Sequence, residues 1–147
     1  MKKARAIGIN HVALEVADID AALEFYGKLF EFELRGRSDS MAFIDLGDQF
    51  MNFTTGRRQA ADDERHFGLV VDDRQPVLDT LESLGIPLLP GPFKDFLDPW
   101  GNRIELIDYA TIQFSKTPQV LRGMGLADLE KSDEALEELR AKGMAPE

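Results

Sequence analysis

His66-Phe67-Gly68-Leu69-Val70-Val71-Asp72-Asp73 repeats, 55 residues later, the pattern of His11-Val12-Ala13-Leu14-Glu15-Val16-Ala17-Asp18. The same shift carries Leu23 onto Leu78, Leu29 onto Leu84 and Tyr26 onto Leu81, so one offset aligns a strand, a cap and a helix face. Each stretch first alternates as a strand does and then meets an Asp, a residue type suited to a helix N-cap. In the first copy Ile19, Leu23, Tyr26 and Phe30 follow at steps of four, three and four, which is one helical face. In the second copy Val77, Leu78, Leu81 and Leu84 form that face, with Pro76 near the start. Gly85 suits the C′ position of the second helix, and Pro87 stops its continuation. Strand-like runs follow each helix: 32–37, 41–46 and 50–54 in the first copy, and 88–89, 93–97 and 103–107 in the second. Leu46-Gly47-Asp48-Gln49 and Asp98-Pro99-Trp100-Gly101-Asn102 read as the last turn of each copy.

The expected fold is therefore α+β: two β-α-β-β-β modules with curved mixed sheets enclosing a shared cavity. The modules span 7–54 and 66–109 and together make one domain over 1–110. The polar, unpatterned stretch 55–65 reads as a surface linker whose acidic run Asp62-Asp63-Glu64 is solvated. Residues 111–147 lie outside the repeat. Thr117-Pro118 and Ser132 read as starts of two short helices in a C-terminal extension, which packs on the sheet, on a partner subunit, or over the site.

Composition removes several function classes. The chain of 147 residues carries 17 Lys+Arg against 27 Asp+Glu, a net charge of −10 that argues against nucleic acid and anionic membranes. It has no cysteine, so disulfides, thiol nucleophiles and Cys-based metal sites are excluded. No signal-like segment or membrane-length apolar run is present, and the expected location is the cytoplasm. Only two histidines occur, and the repeat places both at the start of a first strand.

Alternation along Arg103-Ile104-Glu105-Leu106-Ile107 turns Ile104 and Leu106 toward a helix and leaves Glu105 on the concave side. Equivalent residues of two related modules approach each other near a pseudo-twofold axis. Two histidines and one carboxylate meeting there would bind a divalent ion on one side and leave positions open for substrate. Fe, Mn, Zn, Ni and Co all suit such donors. Phe43, Phe50, Phe53, Phe93, Phe96 and Trp100 read mainly as core or dimer-interface residues, with pocket lining as the alternative.

The segments Ile9 to Val16, Phe25-Tyr26, Arg65 to Val71 and Asp98 to Leu106 resemble the vicinal oxygen chelate superfamily. That group includes glyoxalase I, bleomycin-resistance proteins, extradiol dioxygenases, methylmalonyl-CoA epimerase and fosfomycin-resistance thiol transferases. The resemblance covers about residues 7–109, and its Asp-Pro-x-Gly-Asn-x-x-Glu run is specific. It implies metal ligation by His11, His66 and Glu105, a small oxygenated substrate chelated to the ion, lyase/isomerase or dioxygenase chemistry, and a homodimer. A metal-free, bleomycin-resistance-like binding protein is the alternative. Glyoxalase I and the epimerase add a fourth ligand, Glu or Gln, on the last strand of the first module. Here, counting from the turn glycine puts Met51 at that place, alternation puts Asn52 there, and a slipped register would bring Gln49. Asn52 and Arg103 are the expected substrate-binding side chains. A ring-cleaving dioxygenase would also need an acid–base group beyond the two ligand histidines, from Tyr109, Tyr26 or a carboxylate.

Overall fold

The computed structural model describes residues 1–146. The first module runs β1 (His11–Val16), α1 (Ile19–Leu29), β2 (Glu33–Arg37), β3 (Met41–Asp45) and β4 (Phe50–Thr55). The second runs β5 (Phe67–Val71), α2 (Gln75–Ser83), β6 (Asp95–Leu97) and β7 (Arg103–Asp108). A 3₁₀ turn (Tyr109–Thr111), α3 (Pro118–Gly123) and α4 (Asp133–Ala141) complete the chain.

The two modules share a topology. In the first, β1 pairs parallel with β4, and β4–β3–β2 continue antiparallel. In the second, β5 pairs parallel with β7, and β7 pairs antiparallel with β6. The sheets are thus mixed, as expected for a strand that returns beside the first after a helical crossover. The second sheet has three strands rather than four. Leu88 and Leu89 form no strand: the Leu89 amide donates one bond to the Asp95 carbonyl, at 2.8 Å. Pro87, Pro90 and Pro92 surround the pair, and a residue without an N–H cannot extend a ladder.

Local chemistry sets the helix ends. The Asp18 carboxylate accepts from the Ala21 amide at 2.8 Å and caps α1. Asp73 bonds the Gln75 amide at 2.9 Å, but the N-cap of α2 is one residue later, at Arg74. The cause is Asp108, which takes the Arg74 amide at 2.8 Å and pins the helix entry to the end of β7. Gly85 ends α2 with φ +72°. Thr117 and Ser132 cap α3 and α4 by accepting from Val120 and Ala135.

Each sheet buries one face against its helix. Val16, Ala22, Tyr26 and Phe53 are fully buried in the first half, and Leu81, Phe96, Ile104 and Leu106 in the second. They belong to one core cluster spanning both modules, so the repeats fold around a common interior. Burial of each large side chain contributes on the order of 1.5–3 kcal/mol. No helix among the described residues is long and apolar enough to cross a membrane.

The linker is not a solvated strap. Asp62 has a side chain only 10% exposed and bonds Arg65 at 2.8 Å and the Arg103 amide at 3.1 Å. The Arg57 side chain is 8% exposed and reaches Asn102 and the Ala60 carbonyl. The linker is therefore latched to the β6–β7 turn.

Candidate metal centre and its face

The faces opposite the two helices hold the predicted site residues. Residues paired across neighbouring strands share a face. β1 and β4 pair His11 with Phe50 and Ala13 with Asn52, while Leu14 pairs with Phe53 on the core side. The register thus puts Asn52 on the face of His11 and sends Met51, 3% exposed, into the core. The Asn52 amide donates to Thr54 Oγ1 at 3.3 Å. His11 is exposed and lies flat on Phe50, with ring centroids 4.6 Å apart. Arg35 also lies over the Phe50 ring, with its guanidinium carbon 5.1 Å from the centroid.

In the second sheet, β5 and β7 pair Gly68 with Glu105. His66 lies just before β5 and lines a small pocket with Ala13, Glu15, Arg57 and Asn102. A Cβ at Gly68 would stand 3.7 Å from Glu105 Oε2 and 2.6 Å from Ile107 Cδ1. Glycine there keeps the space beside the carboxylate open. Among the described residues, the Glu105 carboxylate has no hydrogen-bond or ion-pair partner, although the residue is half-buried.

Both histidines are held in the same tautomer. His66 Nδ1 donates to the Glu64 carbonyl at 2.8 Å, and His11 Nδ1 donates to Asn10 Oδ1 at 2.9 Å. An Nδ1 that donates to oxygen leaves Nε2 with its lone pair, the form in which imidazole binds metals. The donor set therefore fits a divalent ion in chemistry and in tautomer. Among the described residues, however, no three His, Asp or Glu side chains stand close enough to share an ion. Within one chain His11 stands on β1, His66 just before β5 and Glu105 on β7, and among the described residues they do not gather into a three-donor site.

The other predicted residues divide. Arg103 shares the Glu105 face, but its Nε donates to Asp95 at 2.7 Å and another nitrogen donates to the Asp63 carbonyl. Its charge is thus already paired with a buried carboxylate. Arg35, which the sequence reading missed, is in no ion pair among the described residues and stands beside the His11–Phe50 stack. It carried no motif, and only the strand pairing brings it near His11.

Neither tyrosine can serve as the extra acid–base group. Tyr26 is fully buried on the helix side and donates to Asp98 Oδ2 at 2.8 Å. Burial, reinforced by the Asp98 charge, holds its hydroxyl pKa well above the ordinary value. Tyr109 is buried under Lys131, whose ammonium is 3.6 Å from the ring centroid, and its hydroxyl accepts from the Lys116 amide at 3.2 Å. Of the aromatic residues, Phe53 and Phe96 are core, Phe50 stacks on His11, and Phe43 packs against Phe50. Trp100 packs edge-on to Phe25, and Phe93 is exposed.

Residues 8–106 match the model of the Glyoxalase/Bleomycin resistance protein/Dioxygenase superfamily. The chain belongs to this superfamily. One curated member, a probable lactoylglutathione lyase of Vibrio cholerae, is 30% identical over 122 residues, covering 67% of this chain and 88% of that protein. Another, the metallothiol transferase FosB of Bacillus licheniformis, is 26% identical over 120 residues, covering 72% and 78%. Among solved structures, a variant of the fosfomycin resistance protein FosX of Listeria monocytogenes, complexed with Mn(II) and 1S,2S-dihydroxypropylphosphonic acid, superposes with a TM-score of 0.57. It is 18% identical and covers 67% of this chain and 89% of that chain, so it speaks for the fold alone. The superfamily's architecture is the one described above, with helices covering one side of each mixed sheet.

Proposed function

We propose that this superfamily member is a metal-dependent enzyme of the lyase/isomerase kind, acting on a small oxygenated substrate. His11, His66 and Glu105 are the ion's ligands, and the remaining positions are open to vicinal oxygens of the substrate. The observation that carries this reading is the pair of Nδ1–oxygen hydrogen bonds, which in neutral imidazoles leaves Nε2 as the free ligand atom of each. A packed structural histidine has no need of that arrangement twice at repeat-related positions. When bound, the ion supplies Lewis acidity that stabilises an enolate-like oxyanion.

The protein's own residues orient the substrate. Asn52 lies on the His11 side of its strand but is buried, with its amide on Thr54, and Arg35 offers a positive charge for an anionic end of the substrate. Arg103 holds Asp95 in place beside Glu105. The lyase/isomerase reading is preferred to ring cleavage because both tyrosines are committed elsewhere and, with both histidines as ligands, only a carboxylate is left for proton transfer.

We further propose that the site is completed between two copies of the chain, His11 from one and His66 with Glu105 from the other. That no three His, Asp or Glu side chains among the described residues of one chain stand close enough to share an ion supports this.

The test is metal content. Protein reconstituted with Mn(II), Ni(II) or Zn(II) and freed of excess should retain about one equivalent per chain, since such sites are stoichiometric. His66→Ala and Glu105→Gln should each reduce retention to under about a tenth of that. Equal retention by wild type and both variants, or none by any, would overturn the assignment. Ligand binding without metal would then favour a sequestering protein.

A further inference from the structure

A second cavity lies on the helix side of the sheets, away from the face of His11 and Glu105. It is a cleft of about 900 Å³ between the two modules. Its floor is core side chains from both halves, including Ile44 and Met51 from the first sheet and Leu69 from the second. Val120 and Met124 of the α3 region form one wall. Glu31, Glu33, Asp45, Asp48, Asp72 and Asp73 also line it, and no Lys, Arg or His does. Lys116 neutralises Asp48 from outside, and its hydrogen bond holds that carboxyl below the usual aspartate range. Five carboxylates at the cleft have no basic partner among the described residues.

We infer that this cleft is a binding site for an organic cation with an apolar body. The volume falls within the range of small-molecule sites, about 300–1,000 Å³. The floor supplies apolar area, which favours a hydrophobic body. The rim supplies one sign of charge, and a concave low-dielectric wall concentrates that field on a positive group. An anion would meet five carboxylates with no basic partner, of which Asp45, Asp72 and Asp73 accept only backbone amides. A neutral apolar molecule would gain nothing from their charge. The site also gives the C-terminal extension a role, since without α3 the cleft would lose a wall.

Tetraphenylphosphonium and tetraphenylborate have nearly the same shape and opposite charge, so they isolate the electrostatic part of recognition. Equilibrium dialysis of the full chain should show one saturable tetraphenylphosphonium site per chain, weakened by added salt. Affinity for tetraphenylborate should be at least about tenfold lower. Met124→Trp, which fills the cleft at its wall, and Glu33→Lys, which reverses a rim charge on an exposed strand, should each weaken binding by about fivefold or more. His11→Ala should leave it unchanged. Circular dichroism reports whether either variant is folded, and Glu33→Lys carries the test if Met124→Trp is not.

Three results would overturn the inference. The first is no saturable cation binding, or equal binding of the borate. The second is loss of binding in His11→Ala, which would place the cation on the metal face. The third is a change of oligomeric mass by light scattering in Glu33→Lys, which would mean that a second copy covers the cleft.

Discussion

His11 and His66 are the residues on which the reading of the site turns, and their neighbours matter as much as they do. A ligand histidine is set by what its second nitrogen touches. Asn10 does this for His11 from the adjacent position, whereas His66 uses the Glu64 carbonyl. Asn10→Ala should therefore weaken Mn(II) or Ni(II) binding by about 10–100-fold while leaving the fold intact, the usual cost of losing an outer-shell partner. Asn10→Asp, which keeps the acceptor, should recover most of the loss. Competition with a fluorescent chelator reads both, and an unchanged affinity in Asn10→Ala would deny the hydrogen bond its role. The pairing of the two histidines was legible from the 55-residue offset, and the register confirms the alternation that places Asn52 on the His11 face. The partners were not legible. Asp95 pairs with Arg103 across two strands, and Tyr26 bonds Asp98 72 residues away. Neither periodicity nor turn chemistry names a partner that only the tertiary fold brings close.

At the scale of elements, capping chemistry read well where it was local and less well where another element intervened. Asp18 caps α1 from its own chain segment, but Asp108 at the end of β7 displaces the start of α2 by one residue. The linker is the larger difference. Its composition is that of a solvated strap, yet Asp62 is held among three donors and the Asp62 amide donates to the Gly101 carbonyl at 2.7 Å. Gly101 has φ +86°, and a Cβ there would come within 2.7 Å of Ala61 Cα. The turn and the linker thus fit only because a glycine sits between them.

Burial opposes ionisation of Asp62, but the Arg65 hydrogen bond, the Arg103 amide and the Arg65 and Arg57 charges outweigh it. The net result is a carboxyl pKa below the ordinary 3.8. The folded pKa lies below the unfolded one, so the stabilisation is present above the unfolded pKa and is lost as pH falls through the folded value. Acidification below about pH 4 should loosen the latch before the core melts. Limited digestion with an acid-active protease should then cut within 55–65 first. Asp62→Asn should be cut there already at neutral pH, by trypsin after Arg58. A linker equally resistant in wild type and variant at neutral pH would show that the latch does not hold it.

For the whole molecule, the duplication raises the question of how donors from different modules meet. Equivalent modules could bring them together within a chain or across a twofold axis between chains. Within this chain His11 stands on β1 beside Phe50, His66 precedes β5 and Glu105 lies on β7, and among the described residues the three do not gather around one point. An isologous dimer makes two equivalent sites, each taking His11 from one copy and the other two ligands from its partner. This arrangement can be separated from a single-chain site by mixing damaged chains. His11→Ala alone and Glu105→Ala alone each break both sites of a dimer. In a mixed dimer one site carries both substitutions, but the other combines an intact His11 with an intact Glu105. After unfolding and refolding an equal mixture, half of the dimers are mixed and each regains one site of two. Retained metal should therefore rise from the background of either variant to about a quarter of the wild-type content, by statistical reassortment. A single-chain site predicts no recovery at any mixing ratio, because every chain then carries a broken set. Recovery that fails when the two folded variants are mixed and measured at once, and appears only after refolding, would assign it to exchange of subunits. The proposed enzyme would in that case be active only as the dimer, and dilution below its dissociation constant would release the metal.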